Sequence, residues 1–80
     1  MTMKFEAWLT RGMFGEKAEK IAEAETREEA MAAAAKWKEG EGRRRGLKVE
    51  PYDRLISKGG ETAVDFGDYF WFFLVEEAGA

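Results

Sequence analysis

Tyr69-Phe70-Trp71-Phe72-Phe73-Leu74-Val75 is an unbroken run of seven apolar or aromatic residues that stops at Glu76-Glu77. A strand sends alternate side chains to opposite faces, so this run puts bulk on both. The chain has 80 residues, which bounds it to one domain with one core. A domain of that size buries only roughly 60–65% of the surface its unfolded chain exposes. Two readings of the run follow. In one, a strongly curled sheet buries a central strand on both sides. In the other, Phe70, Phe72 and Leu74 face the core while Tyr69, Trp71 and Phe73 face a partner, since aromatic groups are enriched at binding hot spots.

The rest of the chain supplies the sheet. Residues 3–10 alternate, with Met3, Phe5, Ala7 and Leu9 on one face and Lys4, Glu6, Trp8 and Thr10 on the other. That is a half-buried strand. Arg11-Gly12-Met13-Phe14-Gly15 is a turn, with glycines on both sides of an apolar pair. Residues 17–25 read as a second strand hairpinned to the first. Their helix propensity leaves a single helix over 16–39 as the alternative. Thr26-Arg27-Glu28-Glu29 is a capping box and favours a helix start at Thr26.

The helix is expected from about Arg27 to about Glu39, with Ala30, Ala33, Ala34 and Trp37 on one face, Met31 beside it, and Gly40 as the stop. Gly40 to Gly46 then reads as a flexible charged connection. Leu47-Lys48-Val49-Glu50 alternates as a strand ended by Pro51. Ser57-Lys58-Gly59-Gly60 is a turn, and residues 62–66 form another strand. The expected fold is α+β, a mostly antiparallel sheet of four to five strands with one helix packed on it. Its order is β-β-α-β-β, with room for a further strand.

Chemistry is sparse. The chain has no His and no Cys, which removes the usual general base, the commonest metal ligands and any disulfide framework. Ser57 is its one serine, and a turn does not hold it in a Ser–Lys dyad with adjacent Lys58. Asp53, Asp65 and Asp68 are the loop-proximal carboxylates, better explained as turn residues than as paired acids or Mg²⁺ ligands. Asp65-Phe66-Gly67 spells the metal-binding triplet of protein kinases, but the other kinase signatures are missing. Gly40 to Gly46 fits a dinucleotide fingerprint in neither spacing nor context. The expectation is a non-enzyme without cofactor or metal.

Net charge is −3, no general invitation to nucleic acid. Arg43-Arg44-Arg45 is the strongest local cationic signal. With Lys36, Lys38 and Lys48 near in sequence it offers an edge for phosphate or carboxylate groups. Trp8, Trp37 and Tyr52 are available to stack on bases. Glu16, Glu19, Glu23, Glu25, Glu28 and Glu29 make an opposing acidic stretch, read as solubilising charge. No stretch nears the roughly 20 apolar residues of a membrane span, and residues 1–6 lack the apolar core of a signal peptide. A cytoplasmic location is expected.

The size, the strand–strand–helix–strand–strand order and the missing catalytic residues resemble small phage-encoded inhibitors of bacterial defence, including anti-CRISPR proteins. The resemblance is architectural and carries no functional residue with it. It implies a protein-binding module that blocks a surface of a defence complex. Its candidate contacts here are Tyr69, Trp71, Phe73, Arg43, Arg44 and Arg45, with self-association as a further mode. The competing expectation is a nucleic-acid-binding accessory protein using Arg43 to Arg45.

Overall fold

The computed structural model describes residues 4–50 and 53–78. Met3, Pro51 and Tyr52, singled out above, lie outside the described residues. The fold is α+β. One antiparallel sheet is built from β1 (Lys4–Arg11), β2 (Glu16–Ala24), β3 (Arg54–Lys58), β4 (Glu61–Asp65) and β5 (Trp71–Ala78), with α1 (Arg27–Trp37) packed on it. The spatial order is β2-β1-β5-β4-β3. The aromatic strand β5 is therefore central, paired to β1 on one side and β4 on the other.

Residues 16–24 are a strand, as the capping box implied, and not the first half of a long helix. Thr26 caps α1: its hydroxyl accepts from the Glu29 amide at 3.2 Å and donates to the Glu29 carboxylate at 3.2 Å. Gly40 does not stop the helix. The backbone continues through a wide π-type turn, Lys38–Gly42, and Leu47 N–H donates to Gly42 O. The stop is Gly46, whose φ of 83° is the left-handed geometry of a helix terminator.

Two local expectations fail. Leu47 to Glu50 joins no strand ladder. Its amides are taken elsewhere: Glu50 N–H donates to Phe66 O, and Lys48 N–H to the Asp68 carboxylate. The extra strand is instead β3, so Ser57 and Lys58 lie in a strand and only Gly59-Gly60 turns. An edge strand with adjacent Leu55 and Ile56 carries no alternating signature, which is why sequence periodicity missed it.

The helix-side core is Ala7, Leu9, Val64, Phe66, Phe73 and Val75 under Ala30 and Ala34. The two alanines bring the helix close to the sheet, and Trp37 meets Phe73 edge-on at 5.9 Å. Alternation sends Trp8, Phe72, Leu74 and Ala63 to the other face. Leu74 and Ala63 are nonetheless buried, at 4% and 0% exposure.

That face is covered by the β1–β2 hairpin. β2 shifts register twice against β1, and such bulges sharpen strand twist. Lys17 reaches across to Glu76, and the Lys58 ammonium sits 5.8 Å from the Phe14 ring. Lys58 is on edge strand β3, about three strand spacings (~14 Å) from β1. The turn therefore folds over the open face. Curling of the sheet, not a second helix, covers β5 from behind.

Candidate protein-binding site

Two segments meet at the end of the sheet where β5 begins: the β1–β2 turn and the β4–β5 loop. Gly12 N–H donates to Phe70 O at 2.8 Å, and the buried Thr10 hydroxyl lies 2.9 Å from Gly12 O and 3.2 Å from Phe72 O. In the loop, Asp65 accepts from Gly67 N–H. Asp68 accepts from Phe70 N–H with one oxygen and from Lys48 N–H with the other. Gly67 has φ of 104°, and a Cβ there would collide with the Glu50 side chain. The kinase-like triplet is thus a structural turn: Asp65 closes it, Phe66 fills the core and Gly67 allows the close approach. Asp53 is also committed, to an ion pair with Lys38.

The wired backbone leaves large apolar side chains outside. Tyr69 is 86% exposed, Phe70 70% and Met13 45%. The two rings are tilted, with centroids 6.4 Å apart, so they do not cover each other. A shallow depression of about 200 Å³ lies beside them, lined by Asp65, Gly67, Asp68, Tyr69 and Phe72. Aromatic anchors on a backbone already held by hydrogen bonds lose little freedom on binding.

The structure separates the sequence candidates. Tyr69 is at the surface. Trp71 is half-buried against the core, with the Arg11 guanidinium 5.8 Å from its ring. Phe73 is 1% exposed and belongs to the core, so it offers no partner surface. Phe70, assigned above to the core, is the exposed neighbour instead. The strand begins at Trp71, so Tyr69 and Phe70 never enter the alternation, and within it the odd positions face the helix. Met13 was missed as a contact, although a large apolar residue in a glycine turn has little to bury it.

Arg43, Arg44 and Arg45 are not on a flexible loop. They close the helical extension, where cations suit the helix dipole. Each meets a carboxylate: Arg43 pairs with Glu39, Arg44 with Glu41, and Arg45 with Glu41 and Glu19. Arg45 also lies 5.2 Å over the Trp37 ring. The Glu41 carboxyl is held below its usual range, first by Arg44 and then by Arg45. The acidic stretch is likewise divided, with Glu19 on the helix side, Glu23 paired to Lys20 on the other, and Glu29 in the cap.

Among the described residues, no group of three or more acidic side chains is placed to hold a metal ion, and no helix is long and apolar enough to cross a membrane. Compared with protein-family models, curated proteins and solved structures, the chain matches none.

Proposed function

We propose that this chain is a non-enzymatic protein-binding module whose contact surface is the tip formed by Met13, Tyr69 and Phe70. One observation carries the reading: three large apolar side chains stand in solvent on a backbone that hydrogen bonds hold in place. Exposed aromatic groups on rigid supports are the usual anchors of protein interfaces. The module acts by occupying a surface of a larger assembly. The architectural resemblance to phage-encoded inhibitors makes a bacterial defence complex the first partner to try.

The nucleic-acid alternative is disfavoured by the same electrostatics. Three arginines facing three glutamates leave no net local charge to displace counterions from phosphates.

The test is affinity capture with the wild-type chain and with Tyr69→Ala/Phe70→Ala, beside light scattering of each. The double variant is expected to keep its Tm and lose its partner, or its self-association. Equal capture by both proteins, with no change in scattering, sinks the reading.

A further inference from the structure

The two sheet edges are built differently. β2 is interrupted by two register shifts and studded with Glu16, Lys17, Glu19, Lys20 and Glu23, devices that discourage strand addition. β3 is unbroken: its pairing with β4 runs from Arg54–Asp65 to Lys58–Glu61 without a shift. Among the described residues no strand pairs with its other side. Gly59, with φ of 63°, opens the two-residue turn to β4. Such a turn makes its flanking pair hydrogen-bonded. Bonding then alternates, so Lys58, Ile56 and Arg54 face β4. The N–H and C=O groups of Leu55 and Ser57 consequently point outward, and Leu55 is 52% exposed.

We propose that β3 accepts an extended segment of a partner protein as a sixth strand, and that the segment carries acidic residues four apart. The charge on the edge selects this occupant. Arg54 and Lys58 flank Ile56 on the face away from the helix. Arg54 is 67% exposed and uses one nitrogen on Asp65, which leaves other donors of its guanidinium for a second carboxylate. Lys58 has an aromatic neighbour, Phe14, and no ion pair among the described residues. An antiparallel strand with carboxylates opposite Arg54 and Lys58, and apolar residues opposite Leu55 and Ile56, satisfies all four positions.

A second copy of this chain can pair all five strand residues only in the antiparallel register centred on Ile56. Symmetric antiparallel pairing about Ile56 sets Arg54 against Lys58 twice, and like charges directly opposed are destabilising. The same two cations that oppose full-length self-pairing of β3 favour an acidic guest. Tyr69 and Phe70 are not part of this edge, although the β1–β2 turn that carries Met13 also sets Phe14 beside Lys58.

The experiment titrates the ¹⁵N-labelled chain with the capped peptide Thr-Glu-Thr-Val-Val-Glu-Thr, and with its analogue carrying Lys for both Glu. The acidic peptide is expected to shift the Leu55 and Ser57 amide resonances and slow their exchange, about tenfold tighter than the lysine analogue. Ser57→Pro removes an outward N–H without touching the β4 ladder, and is expected to abolish binding. Arg54→Ser/Lys58→Ser is expected to equalise the two peptides. Tyr69→Ala/Phe70→Ala leaves this binding unchanged, so the two readings fail separately. Equal affinity of the two peptides for wild type, shifts centred elsewhere, or none at millimolar peptide overturns the proposal. Self-association with protection of the same two amides overturns it in favour of a second copy.

Discussion

Phe73 stacks on Phe66, with ring centroids 4.6 Å apart and planes 27° from parallel. The contact ties the central strand to the end of β4 and fixes which side of β5 faces the helix. Phe73→Ala is expected to cost about 3–5 kcal/mol, as for other aromatic truncations in closed cores. Tyr69→Ala, at a site 86% exposed, is expected to stay within about 0.5 kcal/mol of wild type. Urea denaturation of the two variants measures the contrast. Similar losses in both refute the division between core and surface.

Gly67 meets two demands, a left-handed φ and contact with the Glu50 side chain. Gly67→Ala is expected to destabilise by about 1–3 kcal/mol. Adding Glu50→Gly relieves the collision but not the backbone strain, so it restores part of the loss. Thermal denaturation of the single and double variants separates the two contributions.

Lys38 is 5% exposed and its ammonium pairs with Asp53. Asp53→Ala leaves that cation without its carboxylate. Fully buried pairs cost about 3–5 kcal/mol to break. The Asp53 side chain is 31% exposed, so solvent screening brings the expected loss down to about 1–3 kcal/mol. Lys38→Met/Asp53→Ala is expected to recover most of it. A double-mutant cycle by denaturation gives the coupling, and additivity of the two single variants excludes it.

The Glu6 carboxyl is held below its usual range, chiefly by its hydrogen bond with Lys20, against the opposing effect of burial. The Trp8 indole donates to the same carboxylate. A folded-state pKa below the unfolded one adds stability above the unfolded value, about 4.3 for Glu. That stability is lost as pH falls through the folded value. Glu41, lowered by Arg44 and Arg45, acts in the same sense. Stability is expected to hold from neutrality to about pH 5 and then decline. In Lys20→Met the decline below about pH 4.5 becomes shallower. Denaturation midpoints across pH 3–7 check this, and superimposable profiles would falsify it.

Much of the fold was legible in residues whose neighbours in sequence decide their conformation. The alternation in β1, the Thr26–Glu29 cap and the alanine stripe each state a local preference that the tertiary structure keeps. Gly59-Gly60 marked its turn for the same reason. Gly40 misled because a glycine permits a helix stop without requiring one. Gly46, three arginines later, took that role once Leu47 found the Gly42 carbonyl.

What the sequence by itself determined is that β5 carries apolar bulk on both faces, and that the chain has no histidine or cysteine to do chemistry with. Only the tertiary structure decided what meets each face. Local pattern shows that side chains alternate but not where a strand starts. The start at Trp71 sent Phe73 inward and left Tyr69 and Phe70 in solvent. The covering of Leu74 came from a hairpin curling over the sheet, and the pairing of Arg45 with Glu19 from residues 26 apart. Such contacts follow from the closing of the chain on itself, which no local preference encodes.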